Sequence, residues 1–581
     1  MDDRSSSRDE PHHDETVEDV AMVRSKRPGI CASVLLVAAL AVAACGDSGG
    51  GKSGGGAAEA TLVAYTGQSS DYQINFNPYA GSIGGLGTIF EPMFYYNILR
   101  AAEPEPRLGT AYEWNADGTQ LSITVRDGVT WSDGQPFTAK DVVFTLKLLS
   151  EHKELNAVGY NGTATAPDDK HVVIAFDKPS FVLGPQVLGR VYIVPEHQWK
   201  DIKDPATDTI ASPVGTGPYT LAEFKPQAFT YAANPKYWGG APAVQKVRFV
   251  ALSGNQSGEQ ALRAGQIDWQ SAPVPDIKNI AKNYPGYQAV VTPLNQMVLA
   301  ACSNPDLGCT GPQTDPAVRQ AIYYSLNRTQ INSLAFENTS SPISPGFGLV
   351  KRDAAVISSR LKNQAALMQP DKARADQLLQ GAGYAKGGDG IYAKGGKPLA
   401  LSVKTVAGWA DYITALNTMA QQLKQVGIKV TVEQLSWNEW TAQRQNGQFQ
   451  LVMDSLGQGP APDLYYVYSG SFATGTTAKV GSKATTNWSR FSDPAVDEAI
   501  DALTLLNPKD TAAREPYLDT IQARIEEAMP YIPVLTQGTV TEYHNAKFTG
   551  WPTEADMYAM PAVWQPPDNA EVMKRLKPAA K

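Results

Sequence analysis

An apolar run from Ile30 to Ala44, closed at once by Cys45 and a Gly/Ser stretch, decides which part of this 581-residue chain can fold. The run is too short to cross a bilayer comfortably. It follows Lys26 and Arg27 and ends in the small residues Ala43 and Ala44, the makeup of an export signal. The folded body must therefore come from the chain beyond Cys45, and it works outside the cytoplasm. Met1 to Ala21 holds eight acidic side chains, the wrong charge for the start of such a signal, whereas Met22 is followed by Val23-Arg24-Ser25-Lys26-Arg27. Translation is expected to start at Met22, with residues 1–44 as the signal region.

Val42-Ala43-Ala44-Cys45 resembles the lipobox of bacterial lipoproteins. The resemblance implies that Cys45 is diacylated, becomes the mature N-terminus and anchors the protein to the outer face of the cell membrane. Gly46 to Ala58 is then a flexible tether. Within it, Gly46 to Ser53 satisfies the spacing G-x-x-x-x-G-K-S, but a phosphate cradle needs a strand to deliver the glycines to a helix N-terminus. A linker after a cleaved signal offers neither, so nucleotide binding is not expected there.

Residues 1–44 carry eight acidic and five basic side chains, so the remainder has a net charge of −5, against −8 for the whole chain. Charge of mixed sign with no basic face argues against nucleic acid as a partner. A hydrophobic fraction of 43% in more than 500 mature residues allows two or three domains, and no second apolar stretch is long enough to span a membrane. With Cys31 in the signal and Cys45 acylated, Cys302 and Cys309 remain in a turn-rich loop in an oxidising compartment, which predicts a disulfide. No His or further Cys lies nearby, so no metal site is expected.

The pattern after Ala60 is mixed α/β. Thr61–Tyr65 and His171–Phe176 read as strands, and Leu121–Val125 alternates with period two before the turns at Asp127-Gly128 and Asp133-Gly134, which predicts a hairpin. Thr138 caps a helical pattern reaching Leu149, and Asp315 opens a helix carrying Val318, Ala321, Ile322 and Leu326 on one face. Ala415–Gln425 reads as a helix ending near Gly427, followed by the strand Ile428–Val432, and helices are predicted over Pro494–Leu506 and Ala512–Met529.

Several ordered blocks carry a family resemblance. Glu113-Trp-Asn-Ala-Asp-Gly118, Val125 to Gly134 and Pro136 to Phe144 are followed by Gly215-Thr-Gly-Pro-Tyr219, Asn234 to Gly240, Gly265-Gln-Ile-Asp268 and Asp315 to Ala321. Together they resemble the family 5 extracytoplasmic solute-binding proteins, the dipeptide- and oligopeptide-binding subunits of ABC importers. The resemblance implies a two-lobed α/β fold of the periplasmic-binding-protein type, hinged by two crossings. Residues 59–296 would form an N-terminal lobe with an inserted subdomain and 297–534 the second lobe. Residues 535–581 would return to the first lobe. It also implies a monomer that takes no cofactor and hands a small-molecule ligand to membrane permease subunits. Trp131 and Trp238 are expected to be packed anchors, and Arg319 to pair with a carboxylate between lobes.

In the family's peptide binders an Asp in an Ala-Asp-Tyr-type loop pairs with the peptide's α-amino group. The matching stretch here is Leu456 to Tyr466, with Asp463 close by and the motif altered. Asn77-Pro78, Phe94–Asn97, Gly408–Tyr412, Asn487–Arg490 and Gly550–Thr553 resemble instead the oligosaccharide-binding branch, which includes cellobiose binders. An indole covers the C–H face of a sugar, and Asn or Asp bonds its hydroxyls. Trp409, Asp411, Asp463, Asn487 and Trp488 are the candidate ligand contacts, and a peptide and a β-linked oligosaccharide both stay open. Two rivals remain. For an enzyme, the chain beyond the tether shows no H-E-x-x-H, no G-x-S-x-G elbow and no clustered His, although folding could still assemble a carboxylate pair for glycoside hydrolysis. A lipoprotein sensing a peptide without importing it is the other.

Overall fold

Two strands are far longer than the rest, Gln288–Ala301 and Tyr531–Tyr543. The first half of Gln288–Ala301 alternates between covered and uncovered residues, whereas Gln296 to Ala301 is buried throughout, as in a strand covered on both faces. The two strands pair antiparallel from Gln288 opposite Tyr543 to Ala300 opposite Tyr531. They sit inside a ten-stranded sheet. Beyond Gln288–Ala301 come Leu451–Leu456, Ala400–Val406 and Lys429–Leu435; beyond Tyr531–Tyr543 come Trp269–Gln270, Thr61–Tyr65, Lys246–Val250, Ala228–Ala233 and Tyr219–Lys225. The computed structural model describes residues 61–67, 71–81, 83–271 and 274–580, so the signal region, Cys45 and its tether lie outside the described residues.

Two large apolar cores result. One gathers Met297–Cys302 with helices Pro316–Ser325, Ala410–Val426, Pro494–Leu505 and Thr511–Ala528. The other gathers Leu62, Phe229, Val247 and Trp269 with a four-stranded sheet and the C-terminal helix Asp568–Arg575. The crossing strands feed both: Val290 and Tyr543 belong to the second of these cores, Met297 and Leu535 to the first. This is a mixed α/β, two-lobed architecture.

The local signals act as their chemistry requires. Thr138 and Asp141 form a capping box at the start of Ala139–Glu151. The Asp315 carboxylate accepts from the Ala317 amide at the start of Pro316–Ser325. Gly427 closes Ala410–Val426 in the left-handed conformation, φ 102°. That helix begins five residues earlier than the pattern implies, directly after Trp409. The hairpin also differs from expectation. Gln120–Val125 pairs with the preceding strand Gly109–Trp114 and with His171–Ala175, while the chain beyond Asp127-Gly128 makes only the single bridge Thr130–Pro136. Cys302 and Cys309 are bonded, with Cα atoms 5.4 Å apart.

Arg319 corrects a second expectation. Its guanidinium donates to the Ala528 and Gln313 carbonyls, not to a carboxylate, because the last carbonyls of helix Thr511–Ala528 have no partner within the helix. Trp131 is fully buried, and Trp238 donates its indole N–H to Glu91 at 2.9 Å beneath the Arg126 guanidinium. Both are anchors.

Helix Asp568–Arg575 is held to the first lobe by buried charge. Glu571 takes Arg107 at 2.7 Å and Lys574 at 2.7 Å. Burial pushes Glu571 up, but Lys574 and Arg107 more than offset it and leave it at about 2. Asp568 is the opposite case: burial lifts it to about 6 although the Met560 amide and the Tyr95 hydroxyl both donate to it. A folded carboxyl that holds its proton more tightly than the unfolded chain's adds stability below roughly pH 4, and that share is lost as pH rises through about 6. Asp568→Asn keeps an acceptor for both donors and is expected to remove that part of the pH slope in urea unfolding. Glu571→Gln strands Arg107 and Lys574 and is expected to cost about 3–5 kcal/mol. An unchanged slope in the first variant would show that Asp568 does not titrate there.

Candidate functional site

In open α/β sheets the carboxyl ends of parallel strands leave the backbone free to meet a ligand. Two such ends face the gap between the cores. Thr61–Tyr65 and Trp269–Gln270 run parallel and release Thr66-Gly67 and Ser271; Ala400–Val406 and Leu451–Leu456 run parallel and release Gly408-Trp409 and Gly457-Gln458. Gly408, at φ 89°, makes the turn from strand into helix Ala410–Val426 that a side chain would strain.

Two cavities open here. One, of about 570 Å³, is walled by Tyr72, Phe229, Tyr231 and Phe249 with Asp71, Gln73 and Asn569. The other, of about 300 Å³, lies between Ser271 on one side, Asn295 and Gln537 on the crossing strands, and Asp411 on the other. Trp564 lines both, with a 40% exposed indole that is one of few large apolar side chains left open to water. Among the described residues lining the two cavities there is no Lys, Arg or His. Tyr412 donates to the Gln537 amide oxygen at 3.3 Å, and Ser271 shares a 2.9 Å hydrogen bond with Thr541, so the polar wall is partly oriented. Burial pushes the Asp411 carboxyl up, opposed by the Tyr412 amide.

The five candidate contacts separate. Asp411 lies in the cavity wall. Trp409 caps the same helix, half-buried, its ring 5.3 Å from Tyr412 and 5.5 Å from Trp440. Trp488 packs in the second lobe, with the Arg444 guanidinium held between its ring and that of Trp440. Asn487 is fully buried and corrects the expectation: its amide donates to the Ala473 and Phe491 carbonyls and accepts from Ser489, so it organises its own loop. Asp463 is likewise occupied. It caps helix Leu464–Ser471 through the Tyr465 amide and takes Arg514 with both oxygens at 2.8 Å. In the stretch Leu456–Tyr466, Gln458 has a buried Nε2 with no hydrogen-bond partner among the described residues. Asn77, from the sugar-branch segments, is buried and donates to the Pro205 and Asp208 carbonyls.

Trp564, Gln537, Asn295 and Gln458 carry no sequence signal of their own. Trp564 stands beside Pro566-Pro567, which marks an irregular segment but not which way an indole faces. Among the described residues no cluster of His, Cys, Asp or Glu is arranged to hold a metal, and no helix is long and apolar enough to cross a membrane.

Residues 103–478 match the family described as bacterial extracellular solute-binding proteins, family 5 Middle, and the chain belongs to that family. It is a solute-binding protein of the ABC-importer class, not an enzyme. A putative ABC transporter peptide-binding protein of Brucella ovis is 28% identical over 488 residues, 78% of this chain and 83% of that protein. The fold matches an oligopeptide-binding protein of Thermotoga maritima with TM-score 0.79 and 23% identity, over 89% of this chain and 99% of that one. The same Thermotoga protein with mannohexaose bound matches at TM-score 0.74 and 23% identity, covering 90% and 99%. AppA of Bacillus subtilis, in complex with a nonapeptide, matches at TM-score 0.67 and 19% identity, covering 90% and 99%.

Asp463→Asn is expected to cost about 3 kcal/mol of unfolding free energy, because it strands a buried Arg514. Ligand affinity per folded molecule should hold. Loss of affinity at unchanged melting temperature would instead put Asp463 at the ligand.

Proposed function

We propose that this protein captures a neutral, elongated oligosaccharide between its lobes and delivers it to a membrane permease. The observation that carries the reading is the wall of these two cavities: an exposed indole, amides at Gln73, Asn295, Gln537 and Asn569, and three carboxylates, with no cation among the described residues that line them. A sugar needs a flat apolar platform and donors and acceptors for its hydroxyls. A peptide's C-terminal carboxylate needs a cation. The binding of mannohexaose by the Thermotoga relative is consistent with a sugar in this kind of cleft. A short peptide is the second reading, favoured by Asp411 in the wall as a partner for an amino group.

Lobe boundaries near residues 296 and 534 belong to this reading, with closure by bending of the crossing strands and ligand contacts to both sides favouring the closed form. Cys45 is the proposed lipid anchor and residues 46–58 its leash. A diacyl group with an amino-terminal chain gives stable attachment.

Thermal-shift screening against cello- and manno-oligosaccharides and a peptide pool tests the solute class, since a ligand of the folded state raises its melting temperature. Trp564→Ala is expected to weaken sugar binding by about 1–3 kcal/mol. Stabilisation by peptides alone would overturn the sugar reading. Cys45→Ala should lose acyl labelling and leave the membrane fraction; a variant still bound at wild-type level would place the anchor elsewhere.

A further inference from the structure

Arg352 is a guanidinium almost out of water, its side chain 4% exposed. A buried charge is tolerated only when its donors are met. Those of Arg352 go three ways. Nε and Nη2 hold the Asp353 carboxylate at 2.7 and 2.8 Å, Nη2 also reaches the Gln458 amide oxygen at 2.7 Å, and Nη1 donates to the Ile98 carbonyl at 2.6 Å. Asp353 is itself fixed by the Leu349 amide at 2.8 Å. The three partners do not belong together. Asp353 and Gln458 lie on the side of the second lobe, and Gln458 sits two residues past the end of strand Leu451–Leu456. Ile98 lies in the loop between the short strands Phe94–Tyr95 and Glu105–Pro106, which pack in the first lobe.

Beside the apolar cluster of Ile98, Leu294, Leu349 and Met560, the other polar links across the same seam are lesser. Tyr466 donates to the Val182 carbonyl at 2.8 Å, and Lys509 pairs with Glu103 at 2.9 Å, both side chains more than two-thirds exposed. Such an exposed pair contributes little. Among the residues of these links, Arg352 alone brings a buried charge to the seam and also bonds the loop that follows strand Leu451–Leu456.

We propose that Arg352 is the positioning residue that couples lobe closure to the solute loop. Its third bond exists only while the Ile98 loop lies against the second lobe, so closing the lobes completes the shell of a buried charge. The same guanidinium occupies the Gln458 oxygen and thereby sets its Nε2 as the free donor. The proposal rests on the cleft being the solute site; its closure half does not depend on which solute binds there.

The test uses the full chain with spin labels at Lys153 and Lys424, one exposed position in each lobe, and reads the inter-lobe distance with no solute added. Arg352→Met is expected to shift the distance distribution to longer values, and Tyr466→Phe to shift it less. Arg352→Lys keeps the charge but not the fork, so it should fold and still lengthen the distance. A merely structural arginine would lower the melting temperature and leave the distances alone; wild-type distributions in both Arg352 variants would overturn the proposal. Cellopentaose titration of the wild type tests the sugar reading separately, and its failure would leave the distance result standing.

Discussion

Everything in this molecule hangs on one antiparallel pair, Gln288–Ala301 against Tyr531–Tyr543. Each strand is shared by two cores that meet nowhere else in the sheet. The outer edge of the first pairs with Leu451–Leu456 from Gln296 onward, and that of the second pairs with Trp269–Gln270 only at Glu542 and Tyr543. Between those stretches the pair is joined only by the bridge of Ser341 to Thr536, and there the register slips between Pro293 and Asn295; a second slip, between Met297 and Val298, falls where Leu451–Leu456 already pairs. Proline gives no N–H to the ladder, and an extra residue bends a strand, so the weakest part of the ladder lies between the lobes. Gly538 sits opposite, where a Cβ would collide with the Thr339 carbonyl. A bend confined to a few such residues is what a hinge requires.

Alternation along these strands also places the two sides of the gap. Gln537 faces the cavity that holds Asp411 and Trp564, and its neighbour Thr536 lines a larger crevice of about 1250 Å³ with Val291, Pro293 and Arg352. The seam closed by Arg352 and the cleft walled by Trp564 thus border the same pair of crossing strands.

What could be read from the sequence was whatever is decided locally. Caps at Thr138 and Asp315, the glycine stop at Gly427, and the ordered family blocks all act over a few residues and survive in the fold. The blocks proved structural for a physical reason: Thr216, Tyr237 and Trp238, from two of them, converge as donors on the buried Glu91. The contact residues were not legible in the same way. Asn487 and Asp463 have the right chemistry for a ligand, but each meets its partners inside the protein, Asp463 through Arg514 from a helix 51 residues on. Trp564 has an ordinary context and becomes a platform only because the fold leaves it uncovered.

The same accounting bears on the solute. A cleft for a zwitterionic peptide needs a cation that the protein has not already used, and the guanidiniums of the second lobe near the site are used. Arg444 lies between Trp440 and Trp488 and donates to Asp454 at 2.6 Å. Arg490 donates to the Gln445 and Ser482 carbonyls, and Arg514 closes on Asp463. Arg352 is spent on Asp353, Gln458 and Ile98. Freeing any of them for a carboxylate would strand a buried partner, at a cost comparable to the gain. A ligand of hydroxyls and ether oxygens asks for none of this: the amides, carboxylates and exposed indole of the cavity wall serve it without a free cation.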